Sequence, residues 1–64
     1  MDWAIRLLDD GDVISEDGEV LGTWDRNDED HPFFIPAGET EVLFWDTYIP
    51  GLCDKIERWW RERA

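Results

Sequence analysis

The side chains of this 64-residue chain best suited to nucleophilic catalysis are its single histidine and single cysteine. A cysteine nucleophile needs a base such as histidine within hydrogen-bond reach. His31 lies in a polar, acidic stretch and Cys53 in a helical pattern, so nothing in their spacing pairs them. A structural zinc site needs four cysteine or histidine ligands. We therefore predict no catalytic residues and no zinc, and assign Cys53 to the core.

Carboxylates are far more abundant and raise the question of a calcium site. A calcium-binding EF-hand loop needs glycine at its sixth position and glutamate at its twelfth. A loop beginning at Asp25 places Asp30 and Pro36 there, and one beginning at Asp10 places Ile14 at a ligand position. Only a loose divalent-ion site at 25–30 remains as an alternative. No glycine-rich loop is followed by the lysine that phosphate binding requires. Because the sequence shows no catalytic pair, no zinc ligand set and no phosphate-binding loop, we expect no cofactor, no small-molecule substrate and no enzyme activity.

The charge balance is the strongest signal in the sequence. Seventeen acids face six bases, for a net charge of −11, and fourteen of the acids lie in residues 1–49 with only Arg6 and Arg26. Solubility is usually served by a net charge of about 2–8 in magnitude, and the excess costs stability through self-repulsion. Such a field repels nucleic acid and anionic membranes and attracts cationic partners.

The sequence shows no targeting signal for a secretory role and no apolar run for a membrane role. The residues after Met1 lack a basic and apolar leader pattern, and no apolar run approaches the roughly 20 residues of a membrane span. A single cysteine forms no internal disulfide, which fits a reducing compartment. We expect a cytoplasmic protein.

The elements that position these side chains follow from turn signals and periodicity. Asp10-Gly11 and Asp17-Gly18 separate short apolar runs, which predicts two hairpin turns of type I′ in an N-terminal meander. Residues 25–32 are predicted to form an exposed loop. The strand candidates are residues 3–8, 12–15, 19–24, 33–35 and 41–45.

A helix is predicted from Pro50 to Arg63. Proline is tolerated in a first helical turn, and the apolar residues that follow recur with helical period. They form one core-facing stripe of Ile49, Leu52, Cys53, Ile56, Trp59 and Trp60. The fold class is therefore α+β: one domain over residues 1–64, with a small antiparallel sheet of three to five strands and a C-terminal helix on one face.

Five tryptophans supply much of the apolar area that a core of this size needs. All five are assigned mainly to the core, namely Trp3, Trp24, Trp45, Trp59 and Trp60. An exposed tryptophan is a good anchor for a partner protein. Trp24 and Trp60 are the candidates for that role.

Size and charge together suggest what the acids do. A folded chain of this length has a diameter of about 28 Å, over which duplex DNA presents some 16 charges. Fourteen carboxylates outside the helix are of the same order. Carboxylates and phosphates are accepted by the same arginine and lysine donors. The expected contact residues are Asp9, Asp10, Asp12, Glu16, Asp17, Glu19, Asp25, Asp28, Glu29 and Asp30, with Trp24 or Trp60 as apolar anchor.

In size and charge the whole chain resembles small acidic phage-encoded DNA-mimic inhibitors, which include many anti-CRISPR and anti-restriction proteins. The resemblance is carried by Asp9-Asp10-Gly11-Asp12, Glu16-Asp17-Gly18-Glu19 and Asp25–Asp30. It implies a non-enzymatic inhibitor in the cytoplasm of a bacterial host cell. Its partner would be a basic nucleic-acid-binding protein, such as a CRISPR effector subunit or a restriction-type enzyme, whose DNA binding it blocks. The basic C-terminal helix departs from a uniformly acidic mimic.

Two alternatives stay open. The chain is also compatible with an antitoxin-like or immunity-like protein that covers a basic enzyme without imitating DNA. The acids are also compatible with a domain in which they serve solubility alone.

Overall fold

A computed structural model describes residues 4–63. Five antiparallel strands form one sheet in the order β1-β2-β3-β4-β5, and a helix follows them. The bounds are β1 Ile5–Leu7, β2 Asp12–Ser15, β3 Val20–Arg26, β4 Pro32–Pro36, β5 Phe44–Trp45 and α1 Ile49–Arg63. The predicted α+β fold, with a meander and one C-terminal helix, is confirmed. Trp3, predicted to begin the first strand, lies outside the described residues.

The first three hairpin turns share one geometry. In each turn, the backbone N–H of the fourth residue donates to the carbonyl oxygen of the first. These bonds run from Gly11 to Leu8, from Gly18 to Ser15 and from Asp30 to Asn27. That same residue has positive φ, at 97°, 85° and 64° in turn. The two residues before it do not, so each loop is a type I turn followed by one left-handed residue.

The predicted type I′ geometry is therefore wrong, because it requires positive φ at two consecutive residues. Each of these turns places two adjacent acids at its tip. The pairs are Asp9-Asp10, Glu16-Asp17 and Asp28-Glu29. The third turn was not expected to match the other two, since Asp30 stands where the others carry glycine.

One face of the sheet carries the core. Ile5, Val13 and Phe34 are almost fully buried there, and Leu21 is buried beside them. Helix α1 covers this face through contacts with β1, β4 and β5. Its Leu52, Cys53 and Ile56 are buried, as the helical stripe predicted. Trp59 meets the Phe34 ring edge-on at 5.4 Å between centroids, and Trp60 packs half-buried against the core cluster.

The assignment of Trp45 to the core is wrong. Trp45 is 54% exposed because β5 is a two-residue edge strand and this residue pairs with Phe33, on the face away from the helix. Its ring stacks on His31 at 5.4 Å. No helix within residues 4–63 is long and apolar enough to cross a membrane.

Candidate acidic interaction surface

The meander sorts the acidic turns onto two ends of the sheet. Consecutive hairpin turns of an up-and-down sheet alternate between its ends, so the β1–β2 and β3–β4 turns share one end. We call this end, residues 9–12 and 25–31, the acidic end. The β2–β3 turn and the β4–β5 loop, residues 16–19 and 37–43, form the opposite end. The seven residues of β3 separate the ends by about 20 Å, at roughly 3.3 Å per residue.

Seven of the ten acids expected to contact a partner lie at the acidic end. They are Asp9, Asp10, Asp12, Asp25, Asp28, Glu29 and Asp30. The other three, Glu16, Asp17 and Glu19, lie at the opposite end. Arg26 is the only base within the acidic end. The structure thus brings two of the three predicted acidic segments together and sets the third apart.

Trp24 fixes the first turn of the acidic end to the sheet. Its indole N–H donates to the Leu8 carbonyl oxygen at 2.7 Å, and its backbone N–H donates to Gly11 O at 2.8 Å. In the turn itself, Asp10 Oδ1 accepts the Asp12 amide at 3.0 Å. Trp24 is half-buried, so this predicted anchor holds the turn in place and offers a partner only part of its ring.

Asn27 organises the second turn of the acidic end. Its side-chain oxygen accepts the amides of Glu29 and His31 at 2.9 and 3.0 Å. Glu29 and Asp30 keep 79% and 78% of their side chains exposed. An ordered backbone therefore presents carboxylates that water still reaches.

Arg26 offsets little of this charge. Its Nη1 lies 3.4 Å from Asp30 Oδ1, and its guanidinium lies 5.9 Å from the centre of the Trp24 ring. An exposed pair of this kind contributes at most about 1 kcal/mol. Asp9, Asp10 and Asp25 line a depression of about 220 Å³ together with Trp24 and Arg26. The first turn and the end of β3 thus form a shallow depression lined by three carboxylates and Arg26, while the 28–30 turn lies outside it.

Asp46 lies in the segment that leads from β5 into the helix, and it is engaged within the fold. Hydrogen bonding from the Tyr48 amide at 3.2 Å and from Lys55, 3.2 Å from its Oδ2, lowers the pKa of the Asp46 carboxyl. Gly51 leaves room for this carboxylate, since a Cβ there would lie 2.5 Å from its Oδ2. A carboxylate near a helix N-terminus also interacts favourably with the helix dipole. Asp46 therefore stabilises the start of α1.

Trp60, the other predicted anchor, lies in the last turns of α1. Its ring is half-buried, and the Arg61 guanidinium covers it at 5.8 Å from the centroid. The helix starts after β5 and ends near Glu39 and Glu41, so Trp60 belongs to the half of the molecule away from the acidic end. The structure does not bring Trp60 together with Trp24.

The residues considered for catalysis show no activated nucleophile. Burial and, to a smaller extent, Glu57 raise the pKa of the Cys53 thiol, which disfavours the reactive thiolate. His31 stands in the β3–β4 turn, with Nδ1 3.7 Å from Glu29 Oε2. Within residues 4–63, no three histidine, cysteine or acidic side chains are grouped closely enough to hold a metal ion.

Sequence reasoning missed a groove at the opposite end. Glu39, Glu41, Val42 and Leu43 of the β4–β5 loop line it with Trp59 of the helix. Its volume is about 610 Å³. The two acids and the two adjacent aliphatics after Gly38 were visible in the sequence, but the approach of the helix end to this loop is a tertiary feature.

Comparisons with protein-family models, curated proteins and solved structures found no match to this chain.

Proposed function

We propose that this protein is a non-enzymatic inhibitor that occupies the nucleic-acid-binding surface of a basic protein through its acidic end. The observation that carries the proposal is the repeated turn geometry. Two turns of the same form each hold a pair of adjacent, exposed carboxylates at one end of a rigid sheet, with Asp12 and Asp25 at the neighbouring strand ends. Fixed positions matter because a flexible acidic tail would lose entropy on binding.

The spacing of the two turns suits a nucleic-acid site. The β1–β2 and β3–β4 turns are two strand spacings apart, or about 10 Å. The grooves of B-DNA, about 6 and 12 Å wide, separate phosphate rows by distances of the same order. Arginine binds carboxylate and phosphate oxygens with the same two-pronged geometry. A basic groove built for phosphates can therefore accept this surface.

The mechanism is competition. Lysine and arginine groups that normally hold the phosphodiester backbone are taken by carboxylates, so DNA no longer binds. A CRISPR effector subunit or a restriction-type enzyme in a bacterial cytoplasm is the partner we propose, because such effectors hold nucleic acid through its backbone in a positively charged channel. The net charge of −11 opposes direct binding to the nucleic acid itself.

A displacement assay tests the proposal. Fluorescently labelled duplex DNA is bound to a CRISPR effector complex or a restriction endonuclease, and the anisotropy is followed as this protein is added. We expect displacement at 50 mM salt that weakens at least tenfold by 200 mM salt, because exposed charge pairs are screened. Failure to displace DNA from any member of a panel of such proteins at 50 mM salt contradicts the proposal.

The second candidate is an antitoxin-like or immunity-like protein that covers a basic enzyme through apolar contacts. It is favoured by the exposed aromatic residues Trp45 and Tyr48, which are 54% and 72% exposed. Such a partner would tolerate Asp28→Lys, Glu29→Lys and Asp30→Lys together. It would instead lose binding when Tyr48 or Trp60 is changed to alanine, a result that the acidic-end mechanism does not predict.

A further inference from the structure

The groove at the opposite end contains three of the exposed aliphatic side chains of residues 4–63. Val20, Val42 and Leu43 are 55%, 48% and 44% exposed, and all three line the same cavity of about 610 Å³. Half-buried Trp59 forms part of its wall. A concave site that combines exposed aliphatic side chains with a few polar groups is typical of a place where another molecule binds.

The walls of this groove are held by backbone hydrogen bonds. Leu43 N–H donates to Phe34 O at 2.9 Å, and Ala37 N–H donates to Leu21 O at 2.9 Å. The tight turn at Gly38 is closed by a 3.0 Å bond from the Glu39 amide. A preformed groove loses little entropy on binding, which favours affinity.

The charged side chains that line the groove favour a cationic ligand. Three carboxylates line the groove, Glu19, Glu39 and Glu41, and none of them takes part in the ion pairs found within residues 4–63. The one base, Arg63, stacks on Trp59 with its guanidinium 4.7 Å from the ring centre. Exposed aliphatic side chains beside unpaired carboxylates suit a side chain with an apolar stem and a cationic head.

Arginine fits this groove better than lysine. Its planar guanidinium pairs with carboxylates through two parallel hydrogen bonds and is less strongly hydrated than an ammonium group. We propose that the groove binds an arginine-bearing segment of a partner protein. The guanidinium is held by Glu39 and Glu41, and the apolar residues beside it rest on Val42 and Leu43. This surface lies about 20 Å from the acidic end and does not depend on the function proposed for that end.

A labelled peptide tests this inference without knowledge of the natural partner. The probe is a fluorescein-labelled decapeptide of alternating arginine and valine, and its control carries uncharged citrulline at each arginine. The variant Glu39→Gln/Glu41→Gln removes the two carboxylates proposed to hold the guanidinium and leaves Glu19 in place. The matched control Glu16→Gln/Asp17→Asn removes two charges from the same end, outside the groove. Amide NMR shifts locate the bound peptide on the wild-type protein.

We expect the arginine peptide to bind at least tenfold more tightly than the citrulline peptide, since each charged hydrogen bond is worth about a factor of ten or more. The groove variant loses about tenfold, the matched control less than twofold, and Leu43→Ser weakens binding independently of charge. Shifts concentrate at residues 19–21 and 37–43. Five results would each overturn the inference. They are equal loss in both charge variants, equal binding of the citrulline peptide, no binding at 1 mM peptide, NMR shifts centred on residues 28–30, and self-association of the protein through the groove.

Discussion

Gly22 is the position where a single added methyl group is expected to damage the fold most. This residue lies in β3 opposite Val13 of β2 and Pro36 of β4, next to an irregularity in the β2–β3 register. A Cβ at Gly22 would overlap the Ile35 carbonyl oxygen and lie 2.9 Å from Phe34 Cε1. The Phe34 contact must open by about 0.5 Å to reach 3.4 Å, and the Ile35 contact, which involves backbone, must open by more than twice that.

We expect Gly22→Ala to lower the free energy of unfolding by about 2–4 kcal/mol. Overpacking typically costs about 1–3 kcal/mol, and displacement of β4 loosens the fully buried Phe34 as well. The reduced freedom of the unfolded chain returns only about 0.4–1 kcal/mol. A domain of this size has roughly 3–10 kcal/mol in total, at about 0.05–0.15 kcal/mol per residue. The variant therefore loses a large share of the total free energy of unfolding.

Urea unfolding followed by tryptophan fluorescence measures this effect, with Gly18→Ala as the matched control. Gly18 has φ of 85° and no atom within 4 Å of an added Cβ, so its substitution carries only the conformational cost of about 1–2 kcal/mol. Gly22→Ala must be the more damaging of the two. A Gly22→Ala protein as stable as Gly18→Ala would refute the close approach of β3 and β4 at this point.

Three further predictions concern the turns and the start of the helix. Asp30→Gly is expected to raise the free energy of unfolding by up to about 1 kcal/mol, because φ of 64° suits glycine. A lower melting temperature than that of the wild type would contradict this. Trp24→Phe removes the donor to Leu8 O and should cost about 1–2 kcal/mol in urea unfolding, whereas an unchanged midpoint would show that the bond is not made. The pKa of the Asp46 carboxyl is lowered in the folded state. The stabilisation that this carboxylate contributes to the free energy of unfolding is therefore complete above its ordinary pKa near 3.8, and it is lost as the pH falls through the lowered value. In acid titrations of stability, wild type should therefore lose more than Asp46→Asn does below about pH 4, and parallel curves would refute the assignment.

Local signals were enough to predict the architecture. The Asp-Gly pairs located two turns, and the helical period of Leu52, Cys53 and Ile56 located the buried face of α1. These features depend on residues close in sequence, where backbone preference and burial agree. The type I′ geometry was wrong because the Asp-Gly signal does not distinguish two-residue from three-residue loops.

Tertiary features were beyond the sequence pattern. The sequence pattern does not predict the third turn, because Asp30 replaces the glycine of the other two turns and aspartate adopts positive φ only occasionally. Trp45 looked like core because its strand is apolar, but the sheet leaves that face uncovered by the helix. The grouping of Asp9 with Asp28 depends on strand order, which the sequence did not specify.

Two charge-matched triple variants, compared in the DNA displacement assay, test directly whether the acidic end forms the contact. Asp28→Lys/Glu29→Lys/Asp30→Lys reverses charge at the acidic end, and Glu16→Lys/Asp17→Lys/Glu19→Lys makes the same change in net charge at the opposite end. We expect that the first variant no longer displaces DNA and that the second retains displacement within about threefold, with its dependence on salt intact. Equal loss in both variants would show that net charge alone acts, and would contradict a contact formed by the ordered turns of the acidic end.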